Sequence, residues 1–161
     1  MNINNLTDEY PSGVINIEFE RHDFGTFDDY RFAEVIAVYQ GKWVFSKHKD
    51  RNTWETQGGH IEPGETPFEA AKRELYEEAG AVAYDIVPLC DYLATGIFKG
   101  KELFAYGQVY FAEIHELGAL PDGSEMEKIM LCDAAPDNVT YPEHIKEIFP
   151  LAVKHYERGK I

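Results

Sequence analysis

Short stretches in which every second residue is apolar fill most of this chain, and two stretches with helical spacing interrupt them. Strands are predicted over residues 14–19, 32–39, 43–45, 54–56, 82–95, 103–114 and 129–132. Pro88 interrupts the longest apolar stretch, 82–95, and therefore predicts a bend in that strand. The order strands, helix, strands, helix predicts an α+β fold in which two helices cover a mixed sheet.

The two predicted helices differ in how clearly the sequence marks them. The first spans about residues 67–79, and the second begins near Tyr141-Pro142, where a proline suits the first turn. Pro150 is expected to kink or break the second helix. The length of 161 residues fits one domain, 1–161, with residues 1–13 loosely ordered.

The composition is that of a globular protein, with 44% hydrophobic and 14% aromatic residues. The apolar runs are too short for a membrane helix, and the first residues show no secretion signal. Cys90 and Cys132 lie in predicted strands and are expected to be free thiols in a reducing cytoplasm, with a disulfide as the alternative.

The net charge of −14 would repel nucleic acid and phosphate at long range. Binding of either would therefore need a metal ion or a local basic patch. One such patch is Lys42, Lys47, Lys49 and Arg51, opposed by Asp50 alone within residues 42–51. It is either a solvated strand edge or a surface that faces phosphate.

The first helix carries clear start and stop signals. Thr66, Pro67 and Glu69 form a capping box with proline at the first helical position, and Gly80 suits the position after the last turn. The predicted apolar stripe consists of Phe68, Ala71, Leu75 and Ala79. Ala70 is expected to lie on the acidic face and to leave room in front of its carboxylates.

Glu74, Glu77 and Glu78 are spaced three and four residues apart and share about a third of the helix circumference. Each like-charge pair destabilises a helix by roughly 0.2–0.5 kcal/mol. The last two glutamates also face the negative end of the helix dipole. Arg73 can pair with Glu77 but offsets little of this repulsion. The pattern is either a solvated acidic face or a functional site.

The loop before the helix favours the functional interpretation. Gly58-Gly59 allows a ligand to approach the main chain closely, and Pro63-Gly64 makes a second turn. The residues after Gly64 are Glu65-Thr66 rather than Lys and Ser/Thr, which excludes a P-loop. Clustered carboxylates beside a glycine carbonyl suit Mg²⁺, which also binds substrate phosphates.

The spacing of these residues resembles the Nudix box. Gly59, Glu65, Arg73-Glu74-Leu75, Glu77-Glu78 and Gly80 stand at the intervals of that motif, which covers 23 residues here. Ala81 replaces the usual final aliphatic residue, and Thr56-Gln57 replaces the Leu-Pro that many relatives have before the two glycines.

The resemblance implies an α/β/α sandwich and hydrolysis of a nucleoside diphosphate linked to another group, by attack of water on phosphorus. It implies that Glu74, Glu77 and Glu78 hold Mg²⁺ or Mn²⁺, with the Gly58 carbonyl as a further ligand. Glu74 or a residue of a later loop would be the general base, and Glu65 and Arg73 would be partners within the motif. Relatives often add a carboxylate from a distant loop, and the candidates for it here are Glu125 and Glu127.

The substrate is less well defined by the sequence. The basic run 47–51 resembles that of a bacterial subset that acts on oxidised purine nucleoside triphosphates or on the 5′ end of RNA. A non-catalytic module that senses a nucleotide is the alternative, and the chain is expected to be a monomer or a homodimer. His48 and His60 lie near the predicted site, and the aromatic residues that could form its walls are Trp43, Trp54, Phe98 and Tyr106.

Overall fold

The computed structural model describes residues 13–159, and these contain eight strands and two helices. The predicted loose order of residues 1–13 falls outside this range except for Gly13. In chain order the elements are β1 (Ile15–His22), β2 (Tyr30–Tyr39), β3 (Lys42–His48), β4 (Trp54–Glu55), β5 (Gln57–His60), α1 (Pro67–Ala79), β6 (Ala81–Phe98), β7 (Lys101–Leu117), β8 (Met126–Cys132) and α2 (Pro142–Arg158).

The eight strands form one mixed sheet. Its order is β1-β6-β7-β2-β3-β4, with β5 paired to β2 and β8 paired to β3. The central pair β2 and β7 is parallel, and the other strand pairs are antiparallel. The register between β6 and β7 shifts between Pro88 and Cys90, which is the predicted irregularity.

Side chains of β2 alternate between two hydrophobic cores, one on each face of the sheet. Phe32, Ile36 and Val38 pack in the core that includes Ile148 and Phe149 of α2. The intervening residues of β2 pack against α1 in a second core, together with two helix residues: Ala33, Val35, Ala37, Ala71 and Leu75. The predicted α+β fold, a sheet between two helices, is therefore confirmed.

Helix α2 does not break at Pro150. It runs without interruption from Pro142 to Arg158, although a proline inside a helix removes one backbone hydrogen bond. Ile148 and Ala152, on either side of Pro150, are fully buried against the sheet. Tertiary packing of this apolar face holds the helix together across the proline. The predicted break is wrong, and a kink there stays a prediction.

The apolar stripe of α1 is rotated relative to the prediction. Ala70 is completely buried in the core beside Ala71 and Leu75 and does not clear space on the acidic face. Phe68 is 39% exposed, with its ring 5.6 Å from that of Tyr110. The small side chain of Ala70 packs close to the sheet, whereas the larger Phe68 lies at the edge of the interface between α1 and the sheet.

Two smaller expectations concern the cysteines and membrane helices. Cys90 is buried, Cys132 is partly buried, and both are free thiols, as predicted. Burial raises the pKa of the Cys90 thiol to about 12, which makes this thiol unreactive. Within residues 13–159, no helix is both long enough and apolar enough to cross a membrane.

Candidate active site

Helix α1 presents its carboxylates from a firmly fixed position. Thr66 Oγ1 accepts a hydrogen bond from the Glu69 N–H at 3.1 Å, and Glu69 Oε1 accepts one from the Thr66 N–H at 3.1 Å. At the other end Gly80 adopts the left-handed conformation, with φ of 76°, and its N–H donates to the carbonyl of Tyr76. Both predicted caps are confirmed.

The last turn of α1 is tied to two other parts of the chain. The Ser46 hydroxyl on β3 donates to the carbonyl of Glu78 at 2.7 Å. The Ser124 hydroxyl, in the loop before β8, donates to the carbonyl of Glu77 at 2.7 Å. Carbonyl groups that a helix end leaves without partners are thereby satisfied, and the side chains of Glu77 and Glu78 are held near that loop.

Arg73 connects several acidic groups at the centre of the site. Its Nε and Nη2 donate to the two carboxylate oxygens of Glu65 at 2.8 and 2.9 Å. Its Nη1 donates to Glu74 at 2.8 Å and to Glu77 at 3.2 Å. Nη2 also donates to the His60 carbonyl at 3.2 Å. Hydrogen bonds from Arg73 lower the pKa of Glu65, so that Glu65 stays ionised and braces the guanidinium.

Glu74 is buried against the glycine pair, with 8% of the residue exposed. Burial raises the pKa of its carboxyl to about 7, although Arg73 opposes that shift. A Cβ on Gly59 would lie 2.6 Å from Glu74 Oε1, so only glycine at position 59 leaves room for this carboxylate. A carboxylate of the protein itself thus lies close to Gly59, and the approach of a ligand to Gly58-Gly59 stays a prediction.

Glu78 is equally buried and contacts the neighbouring glycine. Its Oε1 accepts a hydrogen bond from the Gly58 N–H at 2.7 Å. Glu77 lies one residue earlier on the helix and is more accessible, with 48% of its side chain exposed. The three glutamates of the motif therefore range from buried to half-exposed along one edge of α1.

These groups surround a cavity of about 740 Å³, here called the acidic cavity. Its lining includes most of the predicted site residues, namely Gly58, Arg73, Glu74, Glu77, Glu78 and Glu125. His48, His60 and Arg51 also line it. Of the predicted basic patch, Arg51 therefore faces this cavity, whereas Lys42 pairs with Asp133 and Lys47 Nζ lies 3.5 Å from Glu127.

Two predicted residues do not line the acidic cavity. Glu65 lies behind Arg73, as expected for a partner within the motif. Glu127 does not line the cavity: Lys47 pairs with Lys128 and His48 with Met126, so Glu127 is the extra residue of a β-bulge. Its carboxylate lies 3.5 Å from Lys47 Nζ. Of the two candidates, Glu125 in the loop before β8 is the one that the fold brings to the site.

The oxygen donors around the acidic cavity fit a hard divalent cation. Seven acidic residues line it, among them Glu74, Glu77, Glu78 and Glu125, and carboxylate oxygen is the donor that Mg²⁺ and Mn²⁺ prefer. As arranged, Arg73 and the Gly58 N–H occupy several of these oxygens. Within residues 13–159, no three acidic, histidine or cysteine side chains already converge as a set of metal ligands.

A second, smaller cavity adjoins the first, and sequence reasoning missed its polar residues. Glu34 on β2 and His144 on α2 are buried and face each other, with 2.7 Å between Oε1 and Nε2. The Thr56 hydroxyl donates to the other oxygen of Glu34 at 2.6 Å. The sequence signal for Glu34 was a single glutamate within the apolar stretch 32–39. The sequence around His144 gave no signal of a functional role.

The predicted aromatic wall residues separate into different places. Trp54 lines the smaller cavity. Trp43 is buried in the core beneath α2, with its ring 4.8 Å from that of Phe149. Phe98 packs against the same core, and Tyr106 stacks on Phe27 at 4.0 Å. Trp54 is thus the one of these four that lines either of the two cavities.

The sequence model that defines the NUDIX domain family matches residues 28–150 of this chain. The chain belongs to the NUDIX family. This match covers every element from β2 through about the first half of α2, including the glycine pair and the acidic edge of α1. The Nudix resemblance of the box residues is therefore confirmed over the domain as a whole.

Known Nudix proteins resemble the chain to different extents. A Bacillus subtilis protein named 8-oxo-dGTP diphosphatase YtkD is 32% identical over 132 residues, which cover 82% of this chain and 79% of that protein. The crystal structure of a mutant of the Bacillus subtilis pyrophosphohydrolase BsRppH has a TM-score of 0.68 and 28% identity, covering 89% of this chain and 90% of that one. An RNA pyrophosphohydrolase of Mannheimia succiniciproducens is 40% identical over 62 residues, 37% of this chain and 32% of that protein.

Proposed function

We propose that this Nudix protein is a Mg²⁺- or Mn²⁺-dependent hydrolase that cleaves a pyrophosphate linkage of a nucleoside triphosphate or a nucleotide derivative. The observation that carries the proposal is the convergence of Glu74, Glu77, Glu78 and Glu125 on one cavity. Such a concentration of carboxylates opposes the binding of an anionic substrate unless cations bind first. The names of the relatives, a diphosphatase and pyrophosphohydrolases, support the same reaction class.

A divalent cation bound by these carboxylates would neutralise charge on the substrate phosphates. The protein's own groups supply orientation and proton transfer. Glu74, with a pKa of about 7, can accept a proton from water near neutral pH as a general base. The water oxygen then forms a bond to phosphorus, and the bond from phosphorus to the bridging oxygen breaks. Arg73 holds Glu74 in place through this step.

Three further groups are placed to contact the phosphates. Arg51, His48 and His60 line the acidic cavity. Arg51 also forms an ion pair at 2.8 Å with Glu55, which lines the same cavity. A guanidinium can bind two phosphate oxygens at once, so we assign Arg51 to the terminal part of the phosphate chain.

Two substrate classes are supported by the similarities. The relative named as an 8-oxo-dGTP diphosphatase, which matches most of the chain, supports oxidised purine nucleoside triphosphates as substrates. The relatives named as RNA pyrophosphohydrolases, which match about a third of the chain, support the triphosphorylated 5′ end of RNA as a substrate. Among the sequence relatives, the diphosphatase has the broader match, and we favour the first class. The free thiols Cys90 and Cys132 are consistent with work in the reducing cytoplasm.

A substrate panel tests this proposal. The protein is incubated with Mg²⁺ and, in turn, 8-oxo-dGTP, dGTP, a dinucleoside polyphosphate, a nucleotide sugar and triphosphorylated RNA. Release of pyrophosphate, phosphate or a mononucleotide is followed, with excess EDTA as the control. We expect metal-dependent release from at least one substrate. Tight binding of one nucleotide without release from any would instead support the non-catalytic sensing module.

A further inference from the structure

The smaller cavity is a narrow cleft between the sheet and the start of α2, here called the aromatic cleft. Its volume is about 60 Å³, far less than that of the acidic cavity. Aromatic side chains dominate its lining: Phe19, Phe32, Trp54, Tyr92 and Tyr141. Aromatic walls favour a planar, polarisable ligand.

The aromatic cleft opens beside the acidic cavity. Glu55, Gly58, Gly59 and Tyr141 line both. Gly58 and Gly59 lie on β5, so one short strand separates the aromatic walls from the carboxylates of α1. A ligand with a flat ring at one end and a phosphate chain at the other could occupy both at once. A nucleotide has this form.

Two acidic residues line the aromatic cleft, Glu34 and Glu55. Glu55 forms an ion pair with Arg51 at 2.8 Å, whereas the carboxylate of Glu34 is buried. His144 Nε2 and the Thr56 hydroxyl each contact one of its oxygens. Because an ionised carboxylate only accepts, both contacts are donors to it, and each oxygen keeps a further lone pair. Glu34 can therefore accept two more hydrogen bonds that lie side by side.

His144 holds this carboxylate in position. It is 5% exposed and lies against aromatic rings, with its ring centre 4.4 Å from that of Phe19 and 4.5 Å from that of Tyr92. Among residues 13–159, its buried Nδ1 has no hydrogen-bond partner. A buried polar pair that served stability alone would be expected to satisfy all of its polar atoms. This exception indicates that the Glu34–His144 pair does not serve stability alone.

We propose that the aromatic cleft binds a base of the guanine class, whose N1–H and exocyclic amino group donate side by side to the Glu34 carboxylate. This inference rests on the proposed function for the position of the phosphates, and it identifies the base that the same site accepts. Glu34 determines specificity and takes no part in the hydrolysis. Thr56 and His144 are positioning residues that fix its carboxylate.

The same chemistry disfavours adenine. The corresponding edge of adenine presents the N1 lone pair beside one amino group, so an acceptor would face the negative oxygens of Glu34. Hypoxanthine is intermediate, because it keeps the N1–H and lacks the exocyclic amino group. Each lost hydrogen bond to a charged group should weaken binding roughly tenfold.

The wild-type protein can test this without any variant. Dissociation constants for dGMP, dIMP and dAMP are measured by calorimetry, because these monophosphates contain no anhydride bond to cleave. We expect affinity to fall by about tenfold from dGMP to dIMP and by a further step to dAMP. Equal affinities, a preference for dAMP, or no binding of dGMP at millimolar concentration would overturn the proposal.

A substitution sharpens the test. Glu34→Gln keeps the shape of the side chain and replaces one acceptor with a donor, so the preference for dGMP over dAMP should shrink by about tenfold or more. Glu147→Gln makes the same change at an exposed position of α2 and should leave the preference as it is. An unchanged preference in a folded Glu34→Gln variant would contradict the proposal.

The hydrolase proposal and this one can fail separately. Absence of hydrolysis in the substrate panel, together with the expected order of monophosphate affinities, would reject the hydrolase and keep the base site. Metal-dependent hydrolysis together with equal affinities for the three monophosphates would reject the base site alone.

Discussion

Arg73 holds two motif glutamates and Glu65 through one planar group. Its contacts with Glu65 are bidentate, and a separate nitrogen reaches Glu74 and Glu77. A lysine keeps the positive charge but has a single nitrogen on a flexible stem, so it cannot make these contacts together. The orientation of the acidic edge thus depends on the guanidinium geometry as well as on its charge.

The first prediction follows for Arg73→Lys. We expect the free energy of unfolding to fall by about 1–3 kcal/mol, because at least two charge-assisted hydrogen bonds are lost. Urea denaturation measures this directly. Arg51→Lys is the matched control, since the ion pair of Arg51 with Glu55 is partly exposed, and it should cost no more than about 1 kcal/mol. Equal losses in the two variants would contradict the central position of Arg73.

The second prediction concerns the ionisation of Glu74. Burial raises its pKa in the folded protein to about 7, above the ordinary value of 4.5. The protonated carboxyl therefore favours the fold fully below about pH 4.5, and this contribution is lost as the pH rises through 7. In metal-free protein, stability relative to Glu74→Gln should fall by roughly 3 kcal/mol between pH 4.5 and pH 8.

Denaturation at several pH values in the presence of EDTA checks this prediction. The difference between wild type and Glu74→Gln isolates the one group, because the other titrating residues are common to both proteins. Glu147→Gln, at an exposed position of α2, should run parallel to wild type throughout. A difference that stays constant across this range would show that Glu74 ionises normally.

At the level of elements, the C-terminus of α1 meets the loop after β7. Gly80 has φ of 76°, and a Cβ there would lie 2.6 Å from the carbonyl oxygen of Gly118. Gly64, before the helix, has φ of 81° and open space around the same position. Both glycines adopt a positive φ, but only the Cβ built at Gly80 meets other atoms of the described chain. The two positions therefore form a matched pair.

The third prediction compares alanine at these two glycines. Gly64→Ala should lose about 1 kcal/mol, the cost of placing an L-residue in the left-handed region. Gly80→Ala should lose at least about 1 kcal/mol more, because backbone atoms of residues 118 and 119 must also move. Thermal or urea unfolding measures the stability of both variants. Equal losses would contradict the prediction, because they would show that residues 118 and 119 move aside at no cost in stability.

The elements differ in how far the sequence determines them. The caps of α1 depend on residues three or four positions apart, so Thr66, Glu69 and Gly80 could be identified without the fold. The rotation that buries Ala70 and exposes Phe68 depends on the shape of the facing sheet, which helical periodicity does not contain. The continuity of α2 across Pro150 likewise comes from tertiary packing.

The site shows the same division. The glutamates of α1 form a local pattern, and the sequence was sufficient to predict them. Glu125 and Glu127 were equivalent in the sequence, and the register of β8 with β3 decides between them. The group at Glu34 is assembled from positions 34, 56 and 144, and no local spacing brings such distant residues together.

For the whole molecule, the fold places two chemically different cavities on either side of β5. The acidic cavity faces α1, and the aromatic cleft lies beneath the start of α2. The net charge of −14 opposes an anionic substrate in both. Metal ions held by the carboxylates would offset this repulsion locally, so substrate affinity should depend on the divalent cation more than on surface lysines.

The most direct test of this account is the turnover of Glu77→Gln and Glu78→Gln, assayed with Mg²⁺ on the best substrate of the panel. Each change removes one charge and keeps the side-chain shape, so kcat should fall by about 100-fold or more while circular dichroism stays native. Glu147→Gln should remain within about twofold of wild type, as expected for an exposed site without such a role. If both glutamine variants of the motif keep most of their activity, the acidic edge of α1 is not the catalytic site.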